Sequence, residues 1–220
     1  MVELKELTKE YNGTVIVNDI SLKISDGEFV GIVGESGAGK STLLYLMSGL
    51  VEPTKGQVFI DKKEITAINE KEMSDIRNNE IGFVFQFHNL IPGLSVKDNM
   101  EIPLILSNKN PNKYHDHIVS LLESVGLGQC IDKQVEALSG GQQQRVAIAR
   151  SMVNEPKVIF ADEPTGSLDS QNSEMIIDLL AKLNKEKNIT IIMVTHSNRT
   201  LRYCDRVIKI ADGKVEKNDN

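Results

Sequence analysis

The chain has 220 residues, 40% apolar, 25% charged and only 5% aromatic, which excludes disordered and fibrous classes and leaves room for one aliphatic core with at most a subdomain. Its formal net charge of −6 opposes attraction to a polyanion, so nucleic acid is not an expected partner. No apolar run approaches the roughly 20 residues that cross a bilayer, and Met1 to Glu6 lacks the basic and apolar regions of a secretory leader, so the expected location is cytoplasmic, with reduced, inert Cys130 and Cys204 and any membrane contact made through a partner.

Ile20, Leu22 and Ile24 alternate with Ser21 and Lys23 as in a half-buried strand, and after the Asp26-Gly27 turn the run Phe29 to Val33 reads as a buried one. That strand leads into Gly34-Glu35-Ser36-Gly37-Ala38-Gly39-Lys40-Ser41, which fits G-x-x-x-x-G-K-S. A helix over Ser41 to Ser48 follows, with Thr42 in its first turn, Leu43, Leu44 and Met47 at helical spacing, and Gly49 and Pro53 beyond its end. Strand, glycine loop and helix come in the order a phosphate site needs. The glycines let backbone N–H groups turn inward toward phosphate oxygens, and the helix start adds the positive end of its dipole. Lys40 is expected to reach the β- and γ-phosphates of a nucleotide and Ser41 to ligate Mg2+.

Further strands are predicted at Gln57 to Asp61, Ile81 to Phe85, Val158 to Asp162, Thr190 to Val194 and Val207 to Ile210, with helices between them, which argues an α/β architecture with a mainly parallel sheet. Between Phe87 and Glu155 the character changes. Ile118, Leu121, Leu122 and Val125 mark one amphipathic helix, and Val146, Ala149, Met152 and Val153 mark another. Residues 87–155 are therefore read as a helical subdomain inserted between 1–86 and 156–220. His88, His115 and His117 have no metal-ligand companions and are expected to be solvated or on helix surfaces. The polar tail from Lys214 is expected to fray.

Two further stretches carry chemistry. Val158 to Glu163 is an apolar strand ending in two carboxylates, placing Asp162 to hold hydrated magnesium and leaving Glu163 to polarise an attacking water. Leu138-Ser139-Gly140-Gly141-Gln142 contains an S-x-x-Q capping box. Capping does not account for Gly140 and Gly141, each about 1 kcal/mol poorer than alanine in a helix, but such a start leaves first-turn N–H groups open to a large anion. A chain with one phosphate loop and a second anion-binding helix start needs either another ligand or another subunit.

The glycine loop, Gln86 after Gly82 to Phe85, the run LSGGQ, the pair Asp162-Glu163, Ser167-Leu168-Asp169, and His196 after Val194-Thr195 together resemble the nucleotide-binding subunits of ABC transporters, in that family's order and across essentially the whole chain. The resemblance implies a P-loop NTPase core, RecA-like, with an N-terminal antiparallel β portion and the helical insert. It implies that Tyr11 stacks on adenine, that Gln86 touches Mg2+ and the attacking water, that His196 contacts the γ-phosphate, and that Asp169 couples two sites. It also implies an ATP-dependent homodimer in which Ser139, Gly140, Gly141 and Gln142 of one subunit close over ATP held by the other, and integral membrane permease subunits as partners.

The strings FVFQFHNLIPGLSVKDNM, LSGGQQQRVAIAR and ADEPTGSLDS are most similar to the branch of macrolide exporters, lipoprotein-releasing ATPases, peptide-resistance exporters and the cell-division ATPase. Val135 departs from it, since a proline often precedes LSGGQ there. The expected role is to power a separate permease that exports or extracts a peptide, lipoprotein or drug. The alternative is a mechanical transmitter that regulates a membrane partner without moving solute. A permease helix is expected to dock near Phe87, Leu90, Ile91 and Leu94, an apolar group in a stretch containing Pro92 and Gly93.

Overall fold

A computed structural model describes residues 1–216. Strands β1 (Val2–Tyr11), β2 (Thr14–Ile24), β4 (Lys55–Ile60) and β5 (Lys63–Glu64) form an antiparallel sheet in the order β2-β1-β4-β5. A second sheet runs β10-β9-β3-β8-β7-β6, built from β3 (Phe29–Val33), β6 (Ile81–Phe85), β7 (Val158–Asp162), β8 (Thr190–Val194), β9 (Arg206–Ala211) and β10 (Lys214–Val215). All its pairings are parallel except the β9-β10 hairpin. The expected α/β plan, mainly parallel sheet, antiparallel β portion and helical insert, is the one observed. The tail departs from expectation at its start, because Lys214 and Val215 pair with Ala211 and Ile210. The rest of the expected fraying, at 217–220, lies outside the described residues.

Seven helices are described: α1 (Lys40–Met47), α2 (Glu70–Glu80), α3 (Val96–Leu106), α4 (His115–Ser124), α5 (Gly140–Ser151), α6 (Ser170–Lys187) and the single turn α7 (Asn198–Leu201). Because successive strand residues face opposite ways, the central strands feed two cores. Val30, Ile32, Val158, Phe160, Ile192 and Val194 pack with α1 and with Leu4, Leu7, Ile20 and Val58 of the antiparallel sheet. Phe29, Ile159, Ala161, Ile191 and Met193 pack beneath Ile176, Ile177 and Leu180 of α6 and Ile148 and Met152 at the end of α5. Burial on both faces is why these strands read as unbroken apolar runs. A third cluster joins Val96, Met100 and Leu104 of α3, Ile118 and Leu122 of α4, and Val146, Ala149 and Val153.

The register brings Ile32, Val194 and Asp162 into one row near the carboxyl ends of β3, β8 and β7. This edge is where ligands bind in open α/β sheets.

Candidate active site

The loop between β3 and α1 turns on glycines, of which Gly34 and Gly39 leave no room for a Cβ. Gly39 caps α1 with φ 94°, and a Cβ there would lie 2.6 Å from the carbonyl oxygen of Ile16. Lys40 is 5% exposed, and its Nζ donates to the Glu35 carbonyl at 2.7 Å, folding the ammonium over the loop whose amides it is expected to serve.

Beside the loop, Ser41 Oγ donates to Asp162 Oδ1 at 2.9 Å and Tyr45 OH donates to Oδ2 at 2.6 Å. Burial, reinforced by the bond to Asp162, pushes the Tyr45 phenol up to about 12. Tyr45 went unnoticed in the sequence because nothing but the packing of α1 against β7 brings it to the carboxylate. A hydroxyl and a carboxylate this close form a hard-oxygen pair that suits Mg2+, an ion usually held by one or two carboxylates plus substrate phosphates. Among the described residues, no three His, Cys, Asp or Glu side chains gather as an all-protein metal site.

Glu163 has φ 47°, a left-handed conformation disfavoured for a residue with a Cβ. Its N–H donates to Val194 O at 3.0 Å, and Gly166 N–H donates back to its carbonyl at 3.0 Å. The backbone thus fixes the angle at which the carboxylate leaves the strand tip. Glu163 Oε1 lies 2.6 Å from His196 Nε2. His196 is placed in turn by Thr195, whose N–H donates to Ile32 O at 3.1 Å and whose Oγ1 accepts from Ser197 N–H and pairs with Thr200 Oγ1.

Tyr11, Ile16, Ser36, Gly37, Gly39, Lys40, Ser41, Thr42, Glu163 and His196 line one cleft of about 430 Å³. Lys9 Nζ sits 4.7 Å from the centre of the Tyr11 ring, a cation–π contact on a side chain 45% exposed. Gln86 does not line this cleft. It packs against Gly166, where a Cβ would come within 2.8 Å of its Nε2, and its carbonyl accepts from Ser167 Oγ at 3.0 Å.

Ser139, Gly140, Gly141, Gln142 and Asp169 also lie apart from the cleft. The capping box is formed: Ser139 Oγ accepts from Gln142 N–H at 3.3 Å and Gln142 Oε1 from Ser139 N–H at 2.9 Å. Asp169 caps α6 by accepting from Asn172 N–H at 2.9 Å, which holds its carboxyl below the usual range. Asn172 supplies the missing reason for one glycine, since a Cβ on Gly141 would lie 2.4 Å from its Oδ1. At Val135, the N–H that a proline would lack donates to Leu94 O at 3.3 Å, and Gln143 Nε2 bonds the Val135 and Leu138 carbonyls at 3.1 Å, so hydrogen bonds brace the loop.

One histidine departs from expectation. His88 is half-buried rather than solvated, its Nδ1 hydrogen-bonded to the buried Gln144. His117 lies on the surface of α4, where its Nε2 reaches Val153 O at 3.1 Å. Both cysteines are free, and burial pushes the Cys204 thiol up to about 11, which disfavours the reactive thiolate.

A model of the ABC transporter family matches residues 17–166. The Aquifex aeolicus lipoprotein-releasing system ATP-binding protein LolD is 44% identical over 98% of this chain and 96% of its own length. Chlorobium chlorochromatii LolD 1 is 46% identical over 96% of this chain and 85% of its own. Of solved structures, the dimeric Methanocaldococcus jannaschii cassette MJ0796 superposes with a TM-score of 0.90 at 41% identity, covering 99% of this chain and 97% of that one. A dimeric post-hydrolysis state of the same cassette bound to ADP and Pi gives 0.87 at 40% identity over 99% and 97%.

Proposed function

The chain belongs to the ABC transporter family as an ATP-binding, ATP-hydrolysing subunit, and on that premise we propose how its residues divide the work. The loop amides and Lys40 hold the β- and γ-phosphates, and Tyr11 stacks on the adenine. Ser41 and Asp162 would hold Mg2+, with Gln86 joining them when its loop approaches; the ion, when bound, neutralises charge on the phosphate oxygens. Glu163 accepts a proton from the attacking water. His196, 2.6 Å away, holds that carboxylate in place and contacts the γ-phosphate.

The observation that carries this reading is the one-sided cleft. Loop, carboxylate and histidine border it, while Ser139 and Gly140 stand exposed outside it. A second copy supplies the missing side, its Ser139, Gly140, Gly141 and Gln142 closing on the γ-phosphate and its Asp169 linking the two sites. The family's M. jannaschii member is described as dimeric, which supports this arrangement. Ser139→Arg tests it: bulk and charge at the α5 start abolish hydrolysis while nucleotide affinity of the isolated subunit is unchanged. Normal turnover by this variant refutes the closure.

The partner is a separate integral membrane permease, and the work is export or extraction of a peptide, lipoprotein or drug; the names of the lipoprotein-releasing relatives favour the lipoprotein. The subunit would then lie on the cytoplasmic face of the membrane. No helix among the described residues is long and apolar enough to cross one. Phe87, 75% exposed, and Ile91, 46% exposed, offer the apolar docking surface, with residues 87–155 turning as a subdomain. Ile91→Asp is expected to abolish recovery of the subunit with permease-containing membranes in a pull-down. Undiminished recovery rules this surface out.

A further inference from the structure

The loop after Gln86 makes a tight left-handed turn that α5 holds from behind. His88 and Asn89 have φ of 61° and 50°, consecutive left-handed residues that a Cβ disfavours. Two side chains of α5 grip this pair. Gln144 is fully buried. Its Nε2 donates to Phe85 O at 3.1 Å and to Pro164 O at 2.7 Å, and its Oε1 meets His88 Nδ1. An amide oxygen only accepts, so Nδ1 carries the proton. Arg150 spans the same turn, with Nη1 donating to Asn89 O at 2.7 Å and Nη2 to His88 O at 3.1 Å.

The placement of these bonds gives them meaning. Phe85 immediately precedes Gln86, Pro164 immediately follows Glu163, and α5 is the helix that begins at the exposed Ser139. One carboxamide therefore joins the stem of the Gln86 loop, the turn behind the carboxylate and the helix expected to face a second subunit. We propose that Gln144, assisted by Arg150, is a positioning residue for hydrolysis: it ties the stem of the Gln86 loop to the turn behind Glu163 and to the start of α5, so that Gln86 and Glu163 come to the attacking water in register. This rests on the reading that Gln86 and Glu163 act on the attacking water. Gln144 touches neither nucleotide nor water. Its loss lets the strained turn relax, and misplacement of reacting groups by about 1 Å costs about 10²-fold in rate.

The test uses the full chain with Gln144→Leu, which keeps bulk and loses all three bonds, and Arg150→Lys, which keeps charge but replaces the planar two-nitrogen fork by a single flexible ammonium. Turnover is compared with the affinity for a fluorescent ATP analogue, and nitrogen-15 histidine spectra report the His88 tautomer. Gln144→Leu is expected to lower kcat about 10²-fold and Arg150→Lys roughly tenfold, the rate equivalent of one weakened charged hydrogen bond, with affinity within about threefold of the wild type, the split that marks loss of an interaction needed only for the chemical step. His88 shifts from Nδ1–H in the wild type toward Nε2–H in Gln144→Leu. Wild-type kcat in both variants, or an Nε2–H tautomer in the wild type, overturns the proposal. Should Gln144→Leu fail to fold, Arg150→Lys and the wild-type spectrum still decide it. Retained turnover in Glu163→Gln strikes instead at the underlying reading, so the two failures are separable.

Discussion

Glu163→Gln is expected to cut ATP turnover by about 10²- to 10⁴-fold, the span typical for loss of a general base, while leaving nucleotide bound. The substitution keeps the volume of the side chain and its ability to accept a hydrogen bond from His196 Nε2, which lies 2.6 Å away. It removes the basicity that takes a proton from water. The left-handed backbone at residue 163 is set by bonds from its own N–H to Val194 O and from Gly166 N–H to its carbonyl, so the cleft keeps its shape. ATP that cannot be cleaved should hold two copies together, and size-exclusion chromatography with Mg-ATP should show a dimer for this variant. A protein that hydrolyses at the wild-type rate, or one that remains monomeric at saturating ATP, contradicts the assignment.

Lys40→Ala is expected to weaken ATP binding by about 2 kcal/mol or more, at least roughly 30-fold in Kd. Lys40 is buried to 5% exposure at the head of α1, where its charge is poorly screened and a phosphate would meet it largely desolvated. In the absence of a phosphate partner its ammonium is satisfied by the Glu35 carbonyl at 2.7 Å. Alanine therefore removes the cation and leaves that carbonyl without its donor, loosening the loop as well. Equilibrium titration with a fluorescent ATP analogue measures the effect. Affinity within about twofold of the wild type would show that the loop amides alone suffice for binding.

The candidate site was legible in the sequence where it is local. Gly34 to Gly39 is a contiguous loop running into α1 at Lys40, with Gly34 and Gly39 leaving no room for a Cβ, and Asp162-Glu163 ends a short apolar run bounded by Pro156 and Pro164. What escaped depends on juxtaposition. Tyr45, Gln144 and Arg150 lie on ordinary helical positions, and only packing brings them to Asp162, to Pro164 and to the Gln86 loop respectively. The first strand was hidden for a different reason. Val2 and Leu4 alternate correctly, but the register shifts between Leu4 and Leu7 around Glu6, whose φ is 49°. The bulge moves Leu7 onto the buried face and breaks the period of two that would have announced a strand. In α3, Pro103 sits inside the helix, where a proline ordinarily marks a boundary. The helix runs on past it to Leu106, and Asn154 fastens its end by donating to Pro103 O and Ser107 Oγ at 2.9 Å.

The two faces of α5 give the molecule a particular mechanical character. Ile148 lies in the core under the central sheet, while Val146 and Ala149 lie in the core shared with α3 and α4. A helix keyed into two cores couples them. Prising it from either would expose aliphatic side chains worth about 1.5–3 kcal/mol apiece, so α5 stays seated in both. Through Gln144, which also ties it to Phe85 O and Pro164 O, a push on its leading tip at Ser139 is handed on to both stems instead of being absorbed along the way.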